Sequence, residues 1–386
     1  MISGLIPFNV PYISGEEMNY IKECNRFSGA NLYTRKCESW LEESTKTCKV
    51  LITPSCTASL EMSALLLDIQ PGDEVIMPSF TFVSTANAFV LRGATPVFVD
   101  IRADTLNINE NLIEYAITGK TKAIVPVHYA GVSCEMDAIM ALAKKYNLAV
   151  VEDAAQGIMA TYKGKPLGTL GTIGAYSFHE TKNIIAGEAG ALLVNDLSLI
   201  EKAEIIREKG TDRSLFLRGN VDKYTWQLIG SSYLASDIVA AFLYAQLQKA
   251  HYITNERLKI WNAYHYLLEK LEKNGILKRP AIPNDCEHNA HIYYIILNNH
   301  HNIGEFIDRC KELGCCLATH YVPLHSSPMG EKIGRVSGNM NVTHNITQSL
   351  VRLPLWIGLA NEQQEYVVNI IEKSYYDTTK NSSAFL

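Results

Sequence analysis

From Lys49 to Asn195 the chain alternates short apolar runs with stretches of helical periodicity, and this alternation constrains the fold more than any other feature. KVLIT, VIM, VFVD, AIVPV and LAVVED are short and rich in β-branched residues, as buried strands are. Between them lie helical patterns near Leu60 to Leu67, from Ser84, over Glu110 to Ile117 and over Met136 to Lys145. Strands joined by helices of this length are crossover units, so the expectation is α/β, with a mainly parallel sheet. Two further helices are expected before the first strand, near Ser14 to Ser28 and Thr34 to Thr45.

At 386 residues the chain suits two domains. Residues 1–250 are expected to form the large domain, a long helical pattern from Ser236 to about Lys273 crossing out of it. Residues 251–376 suit a small C-terminal α+β domain with the strand IYYIIL, a helix from Ile303 to Leu313 and a last helix from Glu362 to Tyr375. Residues 377–386 are polar and predicted to fray.

A formal net charge of -5 leaves no basic footprint for nucleic acid. No uninterrupted apolar run reaches about 18 residues, so no membrane span is expected, and the N-terminal residues do not read as a secretory signal. Nine scattered cysteines without a C-x-x-C pair argue for reduced thiols, against a zinc site or other metal, and for the cytoplasm.

The chemistry concentrates between Val150 and Asn183. LAVVEDAA stops abruptly at a carboxylate, which places Asp153 at the carboxyl end of a buried strand, the edge where open α/β sheets bind ligands. A second run, Ile173 to Phe178, contains Ser177 and leads to Lys182 on a turn. Taken singly, Asp153 reads as a helix cap and Lys182 as a solvated loop lysine. Together, an acid for a pyridinium nitrogen and an amine for an aldehyde meet the needs of pyridoxal phosphate (PLP). PSCTAS lies where a strand turns into a helix, so its first amides suit a phosphate, or simply a helix cap.

EDAAQ followed by SFHETKN, with PSCTAS, SFTFVST and LPL at Leu353 to Leu355, resembles the sugar aminotransferases that act on nucleotide-linked keto-sugars. The resemblance is strongest to the dTDP-4-amino-4,6-dideoxygalactose transaminases and spans nearly the whole chain. It implies an aspartate-aminotransferase-like PLP fold (type I), with Lys182 as the catalytic amine bonded to the cofactor. It implies Asp153 on the pyridine nitrogen, Gln156 on the ring oxygen, Phe82 stacked on the ring, and Thr57, Ala58 and Ser177 on the phosphate. In this family an asparagine in G-x-N-x-R reaches the phosphate from the partner subunit. The matching run here is Gly230-Ser231-Ser232-Tyr233-Leu234, so Ser232 stands in the asparagine's place within an implied homodimer. For substrate, Arg218 and Lys223 in a basic loop suit a pyrophosphate, and Tyr321 and His325 in YVPLHSSP match a segment near the site mouth. A solvated loop and a structural histidine are the plainer readings.

The implied reaction converts dTDP-4-keto-6-deoxy-D-glucose to dTDP-4-amino-4,6-dideoxy-D-galactose with L-glutamate as donor, in surface polysaccharide or O-antigen synthesis. Amination at C-3 or of a UDP-linked sugar stays open. A dehydratase of the same fold would carry histidine in place of Lys182, and a non-catalytic regulator would usually lose one of Asp153, Gln156 or Lys182. A Rossmann oxidoreductase would need G-x-G-x-x-G where PSCTAS stands.

Overall fold

The structure, a computed structural model, describes residues 4–298 and 302–383. Its centre is an eight-stranded sheet in the order Lys49–Thr53, Gly190–Val194, Ile173–Ser177, Ala149–Asp153, Thr121–Ile124, Glu74–Pro78, Thr95–Val99, Arg335–Val336. Six of these strands form a parallel run from Ile173–Ser177 to Arg335–Val336. Gly190–Val194 is antiparallel to both its neighbours.

Side chains alternate along each strand, so the sheet is buried on both faces. Val50, Ile52, Ile76, Val97 and Val150 join one core with the helices Leu32–Thr45, Met136–Tyr146 and Asp237–Leu247. Leu51, Val75, Met77, Phe98 and Val151 join the opposite core with Cys56–Leu66, Val83–Val90 and Ile200–Arg207.

The long helical pattern beyond Ser236 is three helices, Asp237–Leu247, Ala250–Leu267 and Glu269–Lys273. They lead to a three-stranded antiparallel sheet of Leu277–Lys278, Tyr293–Leu297 and Leu350–Leu353. Tyr264, Phe306, Ile295, Val351 and Ile371 form the core of this smaller unit.

The chain crosses between the two units more often than a single boundary at residue 250 allows. Ile6 packs in the small core, its amide donating to the Gly314 carbonyl at 2.8 Å. Arg335–Val336 returns to the edge of the large sheet, a two-residue strand too short to carry a periodic signal. The polar tail also differs from expectation. The last helix runs Asn361–Ser383, and the Arg309 guanidinium donates to Asp377 at 3.0 and 2.9 Å. An ion pair and a buried Thr378 hold residues that composition alone marks as frayed; residues 384–386 lie outside the described ones. No described helix is long and apolar enough to cross a membrane.

Candidate active site

A cavity of about 650 Å³ opens at the carboxyl edge of the parallel strands, between the large sheet and the small one. Thr57, Phe82, Asp153, Gln156, Ser177, Lys182 and Tyr321 all line it. Residues far apart in sequence meet there because parallel strands all point their carboxyl ends the same way.

Asp153 is buried at the end of Ala149–Asp153. Its Oδ2 accepts from the Thr85 hydroxyl at 2.7 Å and its Oδ1 from the Ala155 amide at 3.2 Å. A carboxylate has about four lone-pair sites, so one oxygen can still accept from a protonated ring nitrogen. Gln156 is fixed at both ends of its amide. Oε1 accepts from the Ala130 amide at 2.7 Å, and Nε2 donates to the Tyr321 hydroxyl at 3.0 Å, leaving its second N–H for a ligand.

Lys182 sits on the turn after Ile173–Ser177, its backbone amide held by the His179 carbonyl at 2.9 Å. Burial pushes its pKa below the ordinary lysine value, while Cys56 and Asp153 oppose that shift. No described residue hydrogen-bonds its Nζ, so the amine faces the cavity free to react.

Ser55 caps the helix Cys56–Leu66, its Oγ accepting from the Ala58 amide at 3.1 Å. The Ala58 amide, expected on the phosphate, is thus occupied, whereas the Cys56 and Thr57 amides have no intrahelical acceptor. The Thr57 hydroxyl pairs with Ser84 at 2.8 Å. Gly190 backs this turn, where a Cβ would meet the Cys56 amide nitrogen at 2.4 Å, so only glycine admits the approach. Phe82 is 58% exposed at the mouth of the cavity. This donor set, with an acid, a free amine and helix-end amides, fits PLP.

Four residues predicted from sequence lie elsewhere. Arg218 is held by Glu204 through two bonds at 3.0 and 2.6 Å. Lys223 lies outside the cavity on the exposed loop. His325 is bound through Nδ1 to the Ser79 hydroxyl at 2.6 Å and does not line the cavity. Ser232 bridges to Glu208, also outside the cavity of its own chain.

The small unit contributes residues that the sequence did not single out: Arg257, His291, His320 and Arg352. Arg257 is buried and donates to the carbonyls of Ala290, Leu355 and His291 at 3.1, 3.2 and 2.6 Å, and burial lowers its pKa to about 9. Arg352 donates twice to the Thr319 carbonyl and lies 4.9 Å over the Phe8 ring. Neither arginine has a carboxylate partner among the described residues. His320 stacks on Tyr321 at 3.6 Å, and burial, then Arg352 and Lys182, push its pKa to about 2. The one available signal was position, since Arg352 immediately precedes the LPL motif.

These features define an α/β aminotransferase of the PLP type. Residues 12–372 match the DegT/DnrJ/EryC1/StrS aminotransferase family. The chain is 30% identical over 376 residues to the spore coat polysaccharide biosynthesis protein SpsC of Bacillus subtilis, covering 95% of this chain and 96% of that one. It is 37% identical over 309 residues to the pleiotropic regulatory protein of Geobacillus stearothermophilus, covering 80% of each. In structure it is similar to the putative sugar aminotransferase Spr1654 from Streptococcus pneumoniae in its PLP form, with TM-score 0.87 and 25% identity over 97% of this chain and 99% of that one. The chain belongs to the DegT/DnrJ/EryC1/StrS aminotransferase family, and it is a PLP-dependent aminotransferase.

Proposed function

We propose that this aminotransferase takes an amino group from L-glutamate and gives it to the 4-keto group of a dTDP-linked 6-deoxy sugar, forming dTDP-4-amino-4,6-dideoxy-D-galactose. The observation that carries the transfer is the unpaired Lys182 amine facing the same cavity as Asp153 and Arg352. The sugar assignment is supported by the motif resemblance and by the names of Spr1654 and SpsC, the latter pointing to polysaccharide synthesis. The regulatory name of one relative does not displace it, because Asp153, Gln156 and Lys182 all line one cavity.

PLP, when bound, supplies an electron sink for the carbon that gains or loses the amine. Asp153 would hold its ring nitrogen, Gln156 its ring oxygen, and Thr57, Ser177 and the Cys56 and Thr57 amides its phosphate, with Phe82 over the ring. Lys182, its pKa lowered by burial, takes and returns the proton at the substrate carbon. Arg352 receives a carboxylate of glutamate. The enzyme acts in the cytoplasm as a homodimer in which Ser232 and the loop around Arg218 and Lys223 serve the partner's site. Exposed Phe27, Leu217, Trp226 and Ile229 support that assembly.

The test follows the visible absorbance of the PLP-loaded protein in two stages. L-glutamate should bleach the yellow band, and dTDP-4-keto-6-deoxy-D-glucose should restore it, with the aminated sugar identified by mass and by proton couplings at C-4. Restoration only by a UDP-linked or C-3 keto-sugar would replace the proposed substrate.

A further inference from the structure

His291 precedes the strand Tyr293–Leu297 and lines the cavity with only 6% of its surface exposed. Its tautomer follows from its neighbours. The Asn183 Nδ2 donates to the Asn289 carbonyl at 2.8 Å, and a carbonyl can only accept. The Asn183 Oδ1 is therefore the atom that meets His291 Nδ1 at 2.9 Å, so Nδ1 carries the proton. Asn289 is fixed the same way. Its Nδ2 donates to the Gln156 and Ile158 carbonyls at 2.7 Å each, and its Oδ1 accepts from the His291 amide at 3.0 Å. Burial, then Lys182 and Arg257, drive the ring's pKa well below the ordinary histidine value, so it stays neutral. What remains is a bare Nε2 acceptor with no partner among the described residues.

The two substrates that take turns in this cavity differ in what they offer such an atom. Glutamate brings two carboxylates, which only accept and would repel a lone pair, and its one donor, the amino group, is the group being transferred. A keto-sugar brings hydroxyls, which donate. We infer, on the reading of the substrate given above, that His291 is a specificity residue for the sugar, its Nε2 accepting a hydrogen bond from a ring hydroxyl. Its Nδ1 meanwhile ties down Asn183, the neighbour of Lys182, which explains why the ring cannot turn to present a donor instead.

Two measurements test this. Nitrogen NMR of histidine-labelled enzyme as isolated should show one ring, absent in His291→Asn, with protonated Nδ1 and bare Nε2 through the neutral range. A proton on Nε2 would overturn the inference. The two half-reactions are then timed separately, with L-glutamate and with dTDP-4-keto-6-deoxy-D-glucose. His291→Asn keeps a donor near the Nδ1 position and drops the acceptor, and should slow the sugar half at least about tenfold more than the glutamate half. His291→Gln, which can place an amide oxygen near Nε2, should recover most of that difference. Equal losses in both halves, or a larger loss with glutamate, would overturn the inference. A wild-type enzyme that bleaches with glutamate yet takes no amine to this keto-sugar would overturn the substrate reading and the inference together, a result distinct from equal losses in a wild type that accepts the sugar.

Discussion

The cavity wall built by the parallel sheet and the wall built by the small antiparallel sheet hold their polar groups in different ways. On the first, Asp153, Gln156, Ser177 and Lys182 come from one stretch of chain and are aimed by strand ends and the turns that follow them. Their partners are specific: the Thr85 hydroxyl on Asp153, the Ala130 amide on Gln156. On the second, Arg257, His291, His320 and Arg352 come from separate segments, and both arginines spend their bonds on backbone carbonyls. On the first wall Asp153 and Gln156 each keep two bonds within the protein, while the Lys182 amine has none among the described residues. The second keeps positive charge without a carboxylate to neutralise it. A buried cation such as Arg257, and a half-buried one such as Arg352, are costly without an anion, which is the basis for proposing the second wall as the surface that receives glutamate.

That comparison is broken most severely at Lys182. Lys182→Ala should lower turnover by about a thousandfold or more, with cofactor still retained by the rest of the first wall. Cofactor retention with near-normal turnover would mean that another group moves the proton. Lys182 also sharpens the contrast through pH. Its pKa is lowered by burial, so the neutral, reactive amine should appear at a lower pH than for an ordinary lysine near about 10.4. Labelling of cofactor-free protein by an amine-reactive reagent, read at Lys182 by peptide mass, should therefore rise with a midpoint below that value.

Asp153→Asn removes the charge but keeps the shape. Loss of a charge-assisted bond to the ring nitrogen should reduce both half-reactions by about a hundredfold and weaken PLP binding. An effect on one half only would place Asp153 with the substrates rather than the cofactor. Arg352→Leu probes the opposite wall. It should raise the KM for L-glutamate by about ten- to a hundredfold while PLP affinity stays within about threefold of normal. Loss of PLP instead would show that the two walls are not separable.

The difference between the walls is also the difference between what could and could not be read in the sequence. Asp153 and Lys182 were legible because a buried strand that stops at a carboxylate, and another that ends before a lysine, are local patterns with a structural meaning. The parallel sheet was legible for the same reason. Arg352 was not, since its meaning rests on Thr319, Phe8 and a cavity that only folding assembles. Arg218 shows the converse. A basic loop suggests an anion, but within its own chain the Arg218 guanidinium is held by the Glu204 carboxylate, a pairing across two elements that charge counting does not see, so any substrate role falls to the partner's site proposed above. The cap at Ala58 was legible only as an alternative: PSCTAS suits either a phosphate or a helix cap, and the Ser55 hydroxyl does accept from the Ala58 amide.

The mildest test asks how far the first wall depends on its own supports. Thr85 touches no predicted ligand; it donates to Asp153 Oδ2 at 2.7 Å and pairs with the Thr81 hydroxyl at 2.8 Å, all of it buried. Thr85→Val preserves volume and removes the donor, so the carboxylate loses one of the hydrogen bonds that hold it in place. The expected loss is about two- to tenfold in the rate of both half-reactions, the size of one hydrogen bond. A loss confined to one half-reaction would mean that Thr85 acts on a substrate rather than through Asp153, whose bond to it is common to both halves.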